Sequence, residues 1–195
     1  RYNLLLWSVM LGLGASIVYS PVVSAPSPEA TYESDFTSGV DGFAGYSIDE
    51  DIFIVGNVDG EPSEDAKNDV LRATLSDDSE SNGGVFRNMA SNFTNRSVGD
   101  VYKVSLEIFL DSAYGSVTNG WDGTDDVTTG LFVGGATSNV DIPQNQWHSI
   151  SDVSITATST SSGDNHFRII WSVSGSQMRE GARFYLKNVK IEQFK

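Results

Sequence analysis

The chain has 195 residues, with 12 Lys plus Arg against 26 Asp plus Glu, a net charge of −14, no Cys and two His. The absent Cys excludes disulfides, thiolate nucleophiles, iron–sulfur clusters and thiolate zinc sites, and two imidazoles cannot build a three-His metal centre. The negative balance repels phosphate backbones and anionic lipid, which argues against nucleic acid as a partner.

The first 28 residues stand apart. Tyr2 to Pro28 holds no charged residue, so setting aside the +1 of Arg1 leaves −15 on the chain from Glu29 onward. Leu4 to Val18 is apolar with Gly and Ser interleaved, and Pro21, Pro26 and Pro28 make the following stretch stiff and extended. Three interpretations stay open. One is an arm that packs on neighbouring subunits through Leu4, Leu5, Leu6 and Trp7. Another is a secretory signal peptide over residues 1–25, with Val23-Ser24-Ala25 as the cleavage site. The third is a membrane anchor, for which the run is short of the roughly 20 apolar residues a spanning helix needs, so no membrane span is expected. The expected division is an uncharged arm and linker over 1–30 and one compact domain over 31–195.

From there the pattern is strand after strand. Short strands are predicted at Tyr32–Phe36, Phe43–Ile48, Ile52–Val55, Val70–Leu75, Val85–Met89 and Leu131–Val133. The clearest is Val101–Asp111, where Tyr102, Val104, Leu106, Ile108 and Leu110 alternate with Lys103, Ser105, Glu107 and Phe109. Period two puts the first set on one face, where a helix would scatter it. Trp147–Ala157 alternates through Val153, Ile155 and Ala157, and Asn165–Ser174 through Phe167, Ile169, Trp171 and Val173. In the last segment Phe184 and Leu186 alternate in one phase and Val189 and Ile191 in the other. Such a one-residue slip predicts a β-bulge at Lys187-Asn188. Turn signals separate the strands at Ser38-Gly39, Asp41-Gly42, Asp59-Gly60, Asn82-Gly83-Gly84, Asn119-Gly120, Asp122-Gly123 and Ser162-Gly163-Asp164. With no amphipathic helix in view, the pattern predicts an all-β protein: an antiparallel β-sandwich with an extended N-terminal arm.

Catalytic signatures are missing: no Gly-x-Ser-x-Gly elbow, no His-Glu-x-x-His, no phosphate loop. The chain is therefore expected not to be an enzyme and to need no cofactor. Its many carboxylates sit beside turn residues, as solvated loop acids do, and His148 has no nucleophile motif to serve. Asp78 to Gly83 imitates the start of an EF-hand loop, but its twelfth position is Met89, which excludes that identity. Asp122, Asp125 and Asp126 concentrate three carboxylates in five residues, a candidate Ca2+ site set against an ordinary acidic turn. For a glycan or a partner, the candidate contacts are Trp121, Tyr114 and Asp122. Trp121 lies between Gly120 and Asp122, outside any alternating strand, where a loop would expose it; Trp147 and Trp171 lie on strands and are expected in the core. The sequons Asn92-Phe93-Thr94 and Asn95-Arg96-Ser97 are expected to be polar loop residues unless the chain enters a eukaryotic secretory pathway.

Several segments, in this order, resemble the jelly-roll domains of carbohydrate-binding modules in the galactose-binding-like group. They are Asp35-Phe36 followed by Asp41-Gly42-Phe43, Asp69 to Leu75, Gly83-Gly84-Val85-Phe86, Gly99-Asp100-Val101-Tyr102-Lys103-Val104-Ser105, Gln146-Trp147-His148 and Phe184-Tyr185-Leu186-Lys187-Asn188-Val189. The resemblance covers about residues 32–194 and implies a jelly roll with glycan binding. Two positions depart from the pattern: Lys187 stands where the family often has a calcium-holding Asp, and Thr37 where the partner carboxylate would be. Asn3-Leu4-Leu5-Leu6-Trp7-Ser8 is similar to the opening of bacteriophage virion and tail-fibre domains of this fold. Together these resemblances imply a structural subunit of a phage particle, in the virion: a capsid decoration, head-fibre or tail appendage. The arm would meet further copies of the chain or other virion proteins, and the body surface glycans. The alternative is a secreted or cell-surface carbohydrate-binding module; a small glycosidase or lyase is the least favoured.

Overall fold

The structure, a computed structural model, describes residues 25–46, 52–58, 61–63, 69–74, 82–112, 126–172, 181 and 183–195. Within them lie twelve strands and one short 3-10 turn, Ser162–Asp164. The strands are β1 (Ala30–Ser34), β2 (Phe43–Tyr46), β3 (Ile52–Val58), β4 (Glu61–Ser63), β5 (Val70–Thr74) and β6 (Asn82–Asn88), then β7 (Val101–Asp111), β8 (Val127–Val133), β9 (Ala136–Ile142), β10 (Trp147–Thr156), β11 (His166–Ser172) and β12 (Arg183–Phe194). Every strand pairing is antiparallel.

Two sheets form the sandwich. One runs β10-β7-β12-β5-β3-β4, with β1 also paired to β12; the other runs β2-β6-β11-β8-β9. Alternation decides which side chains lie between them. Tyr102, Val104, Leu106, Ile108 and Leu110 of β7 are all buried in one core, with Phe167 and Ile169 of β11 and Leu131 and Val133 of β8. An edge-to-face series of rings links Phe36, Phe43 and Phe167, with centroids 5.6 and 6.5 Å apart. A second clasp joins the sheets at the rim: the Tyr32 hydroxyl donates to Asp41 Oδ2 at 2.6 Å, and the Arg87 guanidinium lies 4.2 Å over the Tyr32 ring.

The expected bulge is present. Lys187 pairs with Glu107 and Lys190 with Ser105, so Asn188 and Val189 together face one residue of β7, and Asn188 is left-handed at φ 52°. This slip carries Phe184 and Leu186, then Val189 and Ile191, into the same core.

Several expectations need correction. Asn82-Gly83-Gly84 is strand rather than turn, paired with Ile170, Trp171 and Ser172 of β11. β9 was not anticipated because its outward Thr137, Asn139 and Asp141 dilute the apolar alternation; the turn before it is Gly134-Gly135, at φ 60° and 79°, which a two-residue hairpin requires. β10 carries an unforeseen bulge between Ile150 and Val153, with Asp152 at φ 52°. Phe109, expected on the polar face of β7, is buried, because Val55, Val70 and Tyr185 form a satellite cluster there; Trp147 packs against that cluster, half-buried, instead of entering the main core.

Candidate functional site

The outward positions of the five-stranded sheet follow from the inward ones. Val85, Phe167, Ile169 and Leu131 point into the core, so Phe86 on β6, His166 and Arg168 on β11 and Phe132 on β8 face out. The register aligns Ala44, Phe86, Arg168, Phe132 and Thr137 in one row across all five strands. Strands about 4.8 Å apart place the two Phe side chains about 10 Å from each other, with Arg168 between them.

Side-chain contacts tie this row to a neighbouring turn. The Arg168 guanidinium lies 4.6 Å from the Phe132 ring centroid, and its Nη2 donates to the Gly163 carbonyl at 2.9 Å. His166 meets the Phe86 ring edge-on at 5.2 Å, with Nδ1 3.0 Å from the same carbonyl. The 3-10 turn Ser162–Asp164 therefore anchors both basic side chains. Hydroxyl hydrogen bonds from Ser159 and Ser161 hold the Asp164 carboxyl below its ordinary range, and the charges of Arg168 and His166 add to that. In the next row the pairing sets Gly84, Ile170, Gly130 and Asn139 side by side. A Cβ on Gly130 would lie 3.1 Å from Thr137 Cγ2 and 3.3 Å from the Ile170 carbonyl, so a larger residue there would need those neighbours to give by a few tenths of an ångström.

Half-buried Phe86 and Phe132 offer apolar surface, while exposed Thr137 and Asn139 and the His166 ring offer hydrogen-bonding groups. An apolar platform with a few fixed polar groups is what a sugar needs: its C–H faces stack on rings and its hydroxyls take polar partners.

The sequence candidates fall elsewhere. Trp121, Tyr114, Asp122 and Asp125, like Leu4, Leu5, Leu6 and Trp7, lie outside the described residues; Asp126 is described, exposed just before β8. Among the described residues no group of three or more His, Asp or Glu converges as metal ligands. Lys187 and Thr37 have other uses: Lys187 Nζ pairs with Glu107 at 3.3 Å and lies 4.1 Å over the Trp147 ring, and Thr37 Oγ1 donates to Asp35 at 2.7 Å. The row itself was missed, although a signal existed. Once Phe167 and Ile169 are assigned inward, Arg168 and His166 must face out.

No protein-family model matches the chain, and no curated protein sequence does. Solved structures do. The CBM22-1 xylan-binding domain of Paenibacillus barcinonensis Xyn10C is 13% identical, with a TM-score of 0.51 over 88% of this chain and 99% of that domain. The arabinose-bound MgGH51 α-L-arabinofuranosidase is 14% identical, with a TM-score of 0.55 over 85% of this chain but 27% of its own length. At such identities the likeness is one of fold: a β-sandwich of the carbohydrate-binding-module kind.

Proposed function

We propose that this chain is a non-catalytic glycan-binding β-sandwich whose binding face is the outer surface of the five-stranded sheet. The observation that carries the proposal is the row Phe86–Arg168–Phe132, two rings and a guanidinium fixed by the Gly163 carbonyl, on the outward face of the sheet. The fold shared with a xylan-binding domain supports the ligand class. The test is a glycan array with the intact protein and with Phe132→Ala and Arg168→Ala. Specific binding by the intact protein that falls at least tenfold in both variants is expected. An array without specific signal, or variants that bind unchanged, overturns the proposal.

A second reading concerns where the sandwich works. The uncharged run from Tyr2 to Pro28, set against a body of −15, favours a chain attached to a larger assembly, with a bacteriophage head or tail appendage as our preferred case. A secreted module with residues 1–25 as a signal peptide is the competing case. Mass spectrometry of the mature N-terminus separates the two: a start at Pro26 supports secretion, and residues Leu4 to Trp7 retained on the mature chain support attachment.

A further inference from the structure

The outer surface of the seven-stranded sheet is creased where two bulges meet. Ser151 and Asp152 of β10 face the single residue Ser105, while Asn188 and Val189 of β12 face its neighbour Leu106, so both irregularities flank the same short stretch of β7. Side chains hold each bulge onto that strand: the Asp152 N–H donates to Ser105 Oγ at 2.9 Å, and Asn188 Nδ2 donates to Glu107 Oε1 at 2.7 Å. Bulges re-aim the side chains around them, and each of these two leaves an exposed left-handed residue, Asp152 or Asn188, beside the same stretch of β7.

An open depression of about 190 Å3 lies there, lined by Ser105, Glu107, Ser149, Ser151 and Asn188, with Leu106 and Ile150 beneath. A larger one, of about 550 Å3, adjoins it at Asn188. The second exists because β12 changes partner at the bulge, from β5 along 183–186 to β1 along 189–193, and β1 leaves the sheet after Ser34. Its rim carries Glu33, Asp35, Asp41 and Lys190, and Phe36 and Val189 are buried beside it. Its volume lies within the roughly 300–1,000 Å3 of small-ligand sites. Hydroxyls and an amide along its length can donate or accept hydrogen bonds, and the carboxylates accept them. The surplus of carboxylates over Lys190 disfavours an anion.

We infer that this bulge-lined groove, from Ser149 and Ser151 past Asn188 to Asp35, is a second binding site, for a neutral polyhydroxylated chain such as an oligosaccharide. It lies on the sheet opposite Phe86 and Phe132 and does not depend on them. The test is an amide NMR titration of the full chain with xylohexaose and with cellohexaose. In the intact protein and in Phe132→Ala, the amides of Ser105, Ser149, Ser151 and Asn188 are expected to shift. In Asn188→Gly, which keeps the left-handed backbone, and in Ser149→Ala/Ser151→Ala, the dissociation constant read from these amides should rise at least tenfold, while shifts near Phe132 remain. An unchanged thermal midpoint shows that each variant is folded. Shifts confined to the five-stranded sheet overturn the second site and leave the first. Groove shifts without sheet shifts do the reverse. No shifts with either hexasaccharide, or groove shifts unchanged by both variants, overturn the second site.

Discussion

At the residue scale, a side chain's role follows from the face it occupies and not from its type alone. Phe167 and Phe132 are both strand aromatics one pairing apart, yet Phe167 is fully buried and Phe132 faces outward beside Arg168. Phe167→Ala removes the ring that ends the Phe36–Phe43–Phe167 series and should cost about 3–5 kcal/mol. Urea unfolding checks this, and a loss below 1 kcal/mol would contradict the packing. Phe132→Ala leaves the core intact and should alter stability little while weakening glycan binding. Asp100 offers a pH test. Burial would raise its carboxyl, but hydrogen bonds from the Ser97 N–H at 2.8 Å and Gln193 Nε2 at 2.6 Å, together with the Lys195 ammonium at 3.1 Å, hold it below the ordinary carboxylate range. A depressed folded value stabilises above about pH 3.9, the unfolded value, and that contribution is lost as the pH falls through the folded one. The stability gap between the natural chain and Asp100→Asn should therefore be wide at neutral pH and close under acid. Urea midpoints measured at pH 7 and pH 3 read this directly, and a constant gap would contradict it.

At the element scale, β12 is the strand the others depend on. It pairs with β7 along its whole length, with β5 through its first half and with β1 through its second, and the bulge at Asn188 allows this change of partner. Without the slip, Val189 and Ile191 would turn out of the core where now they are buried. The left-handed backbone at Asn188 predicts an ordered series of substitutions. Asn188→Gly should be near neutral, because Gly adopts φ 52° freely and compensates for the lost bond to Glu107. Asn188→Val should cost about 1–3 kcal/mol, because a β-branched residue resists that conformation. Thermal unfolding of the two variants ranks them, and the reverse order would sink this account of the bulge. The alternating residues of β12 made its slip visible from sequence. The matching bulge in β10 leaves a fainter mark, with Ile150 in one phase and Val153 and Ile155 in the other, because a single core residue precedes the slip amid Ser149, Ser151 and Asp152.

At the scale of the whole molecule, charge and surface divide the chain. The described sandwich joins its sheets through apolar rings and the Tyr32–Asp41–Arg87 clasp, and the chain from Glu29 onward carries the whole negative balance, while residues 2–28 carry no charge at all. If that stretch is an attachment arm, as we propose, the full chain should form larger species than residues 29–195 alone, which should be soluble and monomeric. Sedimentation of both decides the matter, and two monodisperse monomers would remove the attachment reading. The two outer faces make a separate claim, because a sandwich that binds on opposite sheets can bridge two chains of a polysaccharide.

The sequence by itself determined the architecture. Period-two alternation in β7, β11 and β12 places their apolar residues on one face, and packing two such sheets face to face hides them from water. It also located the bulge at Asn188, since a change of phase is a local property of the pattern. Only the tertiary structure brings together the residues of the proposed sites. Phe86, Arg168 and Phe132 are 36 to 82 residues apart in the chain and become neighbours through register alone. The groove around Asn188 likewise arises where β1 and β5 part company on either side of a bulge. Pairing between distant strands is set by the packing of the whole core, and no short stretch of sequence contains that information.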